Sequence, residues 1–497
     1  LFANIINKLR QVLYKMKLTT GYQKINDIKG LNYDEIHYNK IALWKALYAG
    51  LSKDIHKIHY QTLEGKKKRW LKSLKMPKIV CEELARLVYN EKCEININDP
   101  SSNEEGEGEF SEYIKGVLKE NRFDAIFQSQ LEKNFAMGGL VAKAHVKDEK
   151  IQMVFVSADS FIPTMWRNGK VYAGVFVNSI KKGQYYYTHL EKHEWDGDTY
   201  FIRNELYRSE DSTSIGIRVN LAELFPDIEE EVPVNGLDRP LFVYTKPNIA
   251  NNFDTESPLG VSIFANCIDT IESLDRAFDS FNREFRLGAK RIIVPASSVK
   301  VVPDPVTKEY RRYFDPTDEV YQAFDFTEDT DQIKDISVEI RADEHIKGIQ
   351  ALLDILAMQV GFSAGAFNFD GEGIKTATEV ISEKSKTFRT VVSHEVTVEE
   401  FIVELIEVIR ILTKLYKLAR VPEEIEVNIN FDDSIIKDDN ADLDYYAKLK
   451  SHGFISSLKA MMMLRNLSED EAKEELALIK EEQSIDMPEI GDLMGEE

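Results

Sequence analysis

Residues 361–380 read GFSAGAFNFDGEGIKTATEV, and the organisation of the chain turns on what this stretch interrupts. Four glycines (Gly361, Gly365, Gly371, Gly373) and three phenylalanines (Phe362, Phe367, Phe369) share thirteen residues. Glycines at that density end a helix and open a loop. Upstream, Ile346, Ile349, Leu353, Leu356 and Val360 recur at spacings of three and four, which predicts a helix over 343–360 with a narrow apolar seam. Downstream, a much longer helix is expected from about 375 to 418. Thr376, Thr378 and Thr387 are mid-range helix formers, so that helix rests on its length and apolar stripe rather than on propensity. A flexible loop carrying aromatic rings therefore joins two helices.

Working outward, residues 258–288 predict another helix, with Pro258 in its first turn. Phe264, Cys267, Ile271, Leu274, Phe278, Phe281 and Phe285 form its seam, and Asp269, Glu272, Asp275, Arg276, Asp279, Arg283, Glu284 and Arg286 cover the other faces. Between this helix and 343–360 lies a strand-rich insert, 291–342. From about 138 to 250 the period changes to two, and WDGD (195–198) marks an Asp-Gly hairpin between strands. His189, Glu191 and His193 share one strand face there; period two accounts for that spacing without a metal. Residues 1–97 read mainly helical, with a basic run, GKKKRWLKSLKMPK (65–78), taken as a solvated face although phosphate contact is the alternative. DPSSNEEGEGEFSEY (99–113) reads as a polar connector. NINFDDSIIKDDNADLDYY (428–446) reads as a solvated acidic linker without the spacing of a calcium loop. A C-terminal helical pair follows, with Ser468 as an N-cap and a disordered tail from 482.

The composition sets outer limits. The chain of 497 residues suffices for about two to four domains. Apolar residues at 43% and charged residues at 30% are ordinary for a globular protein. A net charge of −22 argues against non-specific coating of nucleic acid, which lysine and arginine drive, but not against a protein that lets DNA pass without gripping it. Three cysteines (Cys81, Cys93, Cys267), odd in number and widely spaced, suit a reducing compartment rather than a disulfide framework or zinc site. The most apolar run, FIVELIEVIRILTKL (401–415), carries Glu404, Glu407 and Arg410, so no membrane span is expected. Residues 1–16 predict an amphipathic helix docked on a partner or on the protein's own core, with a membrane surface as the alternative.

Three segments, in this order, resemble the portal proteins of tailed phages, and most closely the A118-like (SPP1-type) portal family. They are LEKHEWDGDTYFIRNELYRS (190–209), SPLGVSIFANCIDTIESLDRAFDSFNREFRLGAKRIIVP (257–295) and GFSAGAFNFDGEGIKTATEVISEKS (361–385). The likeness runs roughly from residue 20 to 480. It implies an α+β portal fold with long stem and wing helices, a β-rich wing insert and a small β-containing clip, closing into a ring of about twelve copies at one capsid vertex. In those terms 1–257 is wing, 258–290 the stem helix, 291–342 the clip, 343–360 the second stem helix, 361–374 the tunnel loop, 375–420 the long wing helix and 421–497 a crown-like region.

The implied site residues follow. Phe367, Asn368, Phe369, Asp370 and Lys375 would face the DNA channel. Phe264, Ile271, Leu274, Phe278, Phe281, Phe285, Leu353 and Leu356 would pack the stem and ring. Arg311, Arg312 and Tyr313 would dock partners at the clip, although an ordinary β-turn surface explains those three equally well. Phe362 and its neighbours alternatively anchor the loop to their own subunit's core. The implied partners are double-stranded DNA passing non-specifically, the terminase large subunit, the head–tail adaptor, and the major capsid and scaffolding proteins. The implied location is the virion, with assembly in the bacterial cytoplasm. No catalytic residue, metal or cofactor is expected: the chain has no GxxxxGK[ST], Gly-x-Ser-x-Gly or zinc cluster. Two other classes remain, a carboxylate hydrolase using Glu191, Asp198 and Glu205, and a different oligomeric scaffold built on the same seam helices.

Overall fold

The computed structural model describes residues 24–28, 31, 33–62, 65–98, 108–288, 292–293, 300–303, 310–313, 334–335, 339–368, 377–431, 439–465, 467, 472–473 and 475–479. The helix expected over 1–16, the Ser468 cap and the tail from 482 lie outside these residues. The fold is mixed α+β, and every strand pairing among the described residues is antiparallel.

The period-two region builds two sheets. One has three strands in the order β12 (Phe242–Thr245), β4 (Leu140–Lys147), β5 (Lys150–Ser157). The other runs β10 (Ile217–Val219), β9 (Thr199–Ser209), β8 (Tyr185–Asp196), β7 (Lys170–Lys182), β6 (Phe161–Arg167), with β11 (Glu231–Val234) also on β9. WDGD makes the β8–β9 turn, where Gly197 takes a φ of +59° that a side chain would oppose. Val141, Phe161, Val171, Phe176 and Phe242 pack together between the two sheets.

The N-terminal part departs from the mainly helical expectation. Helices α1 (Glu35–Tyr48), α2 (Lys53–His56), α3 (Met76–Val88), α4 (Glu109–Glu120) and α5 (Phe123–Met137) are present. The chain between α2 and α3, however, forms a hairpin of β1 (Lys57–Thr62) and β2 (Gly65–Trp70), so the basic run starts as a strand. Helix α4 takes in Glu109–Tyr113, which had read as connector. The expected acidic linker begins as strand β17 (Glu426–Asn430), which pairs with β3 (Glu94–Asn98). Both strands alternate apolar with polar residues, and Ile429 meets Ile95 while Val427 meets Ile97. Five residues of alternation sit beside so many acids that charge masks the period.

The first seam helix also starts later than its spacing suggests. It is α6 (Ile268–Leu287), and residues 258–267 form no helix. Leu259, Val261, Ser262, Ile263, Phe264 and Ala265 are all buried, so the run has no solvent face and its apolar recurrence carries no helical information. This segment instead crosses the end of α5. Ser262 Oγ and the Ile263 amide both donate to the Phe135 carbonyl at 3.1 Å, satisfying an acceptor that the helix terminus leaves open. Gly260 and Gly138 touch there through bare backbone: a Cβ on Gly260 would lie 2.4 Å from the Gly138 carbonyl oxygen.

Two further helices, α7 (Ala342–Val360) and α8 (Ala377–Tyr416), lie close to the expected 343–360 and 375–418. Between α6 and α7 the insert shows two short pairs, β13 (Ile292–Ile293) with β16 (Lys334–Asp335) and β14 (Lys300–Pro303) with β15 (Tyr310–Tyr313). Helix α9 (Asp439–Ser451) takes up the end of the expected acidic linker, α10 (Ser457–Arg465) follows, and 472–473 and 475–479 are helical again. A single apolar core joins α1, α3, α5, β4, α6, α7 and α8. Phe127 of α5 stacks on Phe401 of α8 at 5.8 Å, in the middle of the long helix.

Candidate channel and ring-packing site

The two seam helices pack on each other, but the seam divides along its length. Ile271, Leu274, Leu353 and Leu356 are all at most 3% exposed and belong to the subunit's own core. Phe264 is buried in the same core, ahead of the helix. Further along α6 the rings come into the open: Phe278 and Phe281 are half-buried, and Phe285 is 48% exposed. Phe281 meets Phe285 edge-on at 4.9 Å and His345 of α7 at 5.9 Å. Arg341, just before α7, grips Glu284 with two bonds of 3.0 Å and so ties the far ends of α6 and α7 together. On their outer sides α7 exposes Ile355 and Met358, and α8 exposes Val392 and Val396.

The base of the glycine loop is stitched to α8. Gly361 ends α7 in the left-handed region, φ +91°, and its carbonyl accepts from Thr390 Oγ1 at 2.7 Å. The Ser363 amide donates to Thr387 Oγ1 at 2.9 Å, and the Gly365 amide to Asp354 at 3.1 Å. Phe362 is 2% exposed and fills the core, so it is an anchor. Phe367 is half-buried against it, with ring centroids 5.2 Å apart, while Asn368 is exposed. Phe369, Asp370 and Lys375 lie outside the described residues. Arg311, Arg312 and Tyr313 fall on β15, opposite Val302, Val301 and Lys300 of β14.

The acidic face of α6 has a role that its sequence did not disclose. Asp275 and Asp279, one turn apart, both receive the β1–β2 hairpin. His56 Nε2 lies 2.9 Å from Asp275, both side chains 2% exposed, and the Leu74 amide donates to the same carboxylate. Arg69 makes a two-pronged bond to Asp279 at 2.7 and 2.6 Å. Burial works to raise the Asp279 pKa, but the Arg69 bonds and the Lys72 amide outweigh it and hold the carboxyl below its ordinary range. An i, i+4 acidic pair on a seam helix was the available signal, but it does not name its partners.

Helix α8 is fixed to the β region by a buried histidine. His394, 3% exposed, accepts the Asn248 amide at Nδ1 (3.1 Å) and packs its ring against Phe135 at 5.0 Å. Burial pushes its pKa down to about 4. The Asn248 side-chain amide donates to the Ser393 carbonyl at 2.7 Å, completing the joint.

Glu191, Asp198 and Glu205 do not converge on one site. Register pairs Glu191 with Asn204 and Glu205 with Leu190, so the two acids lie on opposite faces of the sheet. Glu191 is engaged by Lys143 and by His193 at 2.9 Å; burial opposes its charge, but these partners hold its pKa well below the usual range. Glu205 is engaged by Lys192 at 3.0 Å and Arg218 at 3.2 Å. His189 bonds Asn204, not a metal position. Among the described residues no group of three His, Cys, Asp or Glu side chains is placed to hold a metal ion, and no helix is long and apolar enough to cross a membrane. All three cysteines are free.

No curated protein matches the chain at a significant level. A family model described as phage portal protein, SPP1 Gp6-like, matches residues 31–489, which takes in both sheets, the divided seam, the glycine loop and the helices that follow it. The chain belongs to that family of phage portal proteins.

Proposed function

We propose that this portal protein works as one subunit of a ring of about twelve at a capsid vertex, through which double-stranded DNA enters during packaging and leaves at infection. Proteins of this family are structural rather than enzymatic. In this reading α6 and α7 are the two stem helices, 291–341 the clip, the loop beginning at Gly361 the tunnel loop, α8 the long wing helix, residues before 258 the remaining wing, and α9 and α10 a crown-like end. The stem helix starts at Ile268 rather than at 258.

One observation carries the reading. Ile355, Met358, Val392 and Val396 stand exposed on the two helices that flank the loop, and Phe285 on α6, while Ile271, Leu274, Leu353 and Leu356 are buried in the subunit's own core. Apolar faces of this kind are covered in head-to-tail ring interfaces. Asn368 can then offer a neutral hydrogen bond to phosphates that pass every ~1.7 Å of axis, without a charge that would arrest them. The clip strand carrying Arg311, Arg312 and Tyr313 is the docking place for the terminase large subunit and later the head–tail adaptor. The major capsid and scaffolding proteins surround the ring in the virion, after assembly in the host cytoplasm.

Native mass spectrometry with two-dimensional electron-microscopy classes tests this directly. A closed ring with an axial hole wide enough for duplex DNA is expected, from the protein alone or with its capsid protein. The double variant Phe278→Asp, Phe281→Asp should abolish it. A persistent dimer or open filament, or rings from the double variant, would overturn the assignment of this surface.

A further inference from the structure

The β1–β2 hairpin is unlike the rest of the chain. Residues 57–70 contain four lysines and Arg69 against one acid, Glu64, so the remainder carries more than the whole net charge of −22. Lys57, Lys66, Lys67 and Lys68 are exposed. Among the described residues the two strands pair only with each other, and most of their side chains are exposed. Register puts Lys57, Lys66, Lys68 and Trp70 on one face, with Tyr60 and Lys67 on the other. Trp70 is 47% and Tyr60 41% exposed.

An isolated two-stranded hairpin is marginal in water, so its geometry here has another source. That source is the root. His56 and Arg69 fix the hairpin to Asp275 and Asp279 of α6, and the Leu71 amide closes its open end on the His56 carbonyl at 2.7 Å. The root is nearly buried; the outer part is cationic, aromatic and exposed to solvent. Lysines alone would guard a free strand edge. Exposed Trp and Tyr on the same ribbon are instead the residue types that anchor protein interfaces.

We infer that this hairpin is an arm that seats on the acidic surface of the next copy of this chain. The inference rests on the ring proposed above. A ring interface is head-to-tail, so a cationic surface on one side meets a different surface on the other. In a protein this acidic that surface is complementary nearly everywhere, whereas unrelieved −22 charges on adjacent copies repel one another. Duplex DNA is the competing polyanion. Four lysines per copy would bind it with strong salt dependence, contrary to what a conduit requires.

The test is ring assembly of the full chain as a function of salt, read by native mass spectrometry and electron microscopy. The triple variant Lys57→Glu, Lys66→Glu, Lys68→Glu is compared with a control of equal net charge, Lys147→Glu, Lys182→Glu, Lys417→Glu. All six side chains are exposed, so circular dichroism should not change. The arm variant should raise the half-assembly concentration about tenfold or more at physiological salt, and the control much less. Wild-type assembly should weaken as salt rises. A Tyr60→Ser, Trp70→Ser variant should weaken assembly without altering that salt dependence. Arm and control variants that assemble like wild type, or fail equally, would overturn the arm alone. Intact rings with lost affinity for a DNA duplex would replace it with a nucleic-acid contact. A wild-type chain that forms no ring even beside its capsid protein would overturn the ring and the arm together.

Discussion

Acid should loosen the joint between α8 and the β region, and His394 should account for a separable part of the effect. The ring is buried, and its Nδ1 accepts the Asn248 amide, which requires the neutral form. Its folded pKa of about 4 lies below the ~6.5 of an unfolded histidine. As pH falls the unfolded chain therefore takes up the proton first, so this stabilisation is complete above about pH 6.5 and is lost progressively towards pH 4. Linkage with these two values gives a loss of about 2 kcal/mol between pH 7.5 and pH 5, approaching about 3 kcal/mol at still lower pH. The assay is urea unfolding at pH 7.5 and pH 5 for wild type and His394→Gln, followed by circular dichroism. Carboxylates and the other histidines titrate alike in both proteins and cancel. Wild type should lose about 2 kcal/mol more than the variant over that interval. Equal losses, or an imidazole resonance of His394 titrating near its ordinary value, would refute the reasoning.

Other outcomes follow from the same contacts. Gly260→Ala forces a Cβ to within 2.4 Å of the Gly138 carbonyl and 2.6 Å of Lys246 Cβ, and should destabilise by about 1–3 kcal/mol or more in thermal melts. Arg69→Met leaves the Asp279 carboxylate, 5% exposed, without its cation; a loss of about 2–3 kcal/mol is expected, with faster proteolysis of the hairpin as the local readout. Deleting 365–373 removes Phe367 and Asn368 but keeps Phe362 and the Ser363–Thr387 bonds, so rings should assemble while packaging or DNA retention fails; rings that do not form would refute the loop assignment.

Long periodic elements were legible from sequence. Helices α7 and α8 carry apolar residues through five or more turns, and the hairpins of the β region announce themselves by alternation and by Gly197. Burial on every side was not. From Leu259 to Ala265 nearly every residue is inside, so a spacing of three or four arises whatever the backbone does. The β1–β2 hairpin was missed for the opposite reason: GKKKR has neither alternation nor strand propensity, and its shape comes from Asp275 and Asp279, about two hundred residues away in sequence. In the candidate site the phenylalanines of α6 were readable as a seam. Periodicity cannot say whether a seam faces its own core or a neighbour, and here Leu274 and Phe285 do different things on one helix.

The contact between Gly138 and Gly260 has a mechanical meaning. A joint made of two bare backbones has no rotamers through which to give. The end of α5, the start of the three-stranded sheet and the approach to α6 must then tilt as one piece. Torque arriving along α6 would reach the β-rich region undamped. Spectroscopic labels placed on those two parts should report one rigid-body motion, not two.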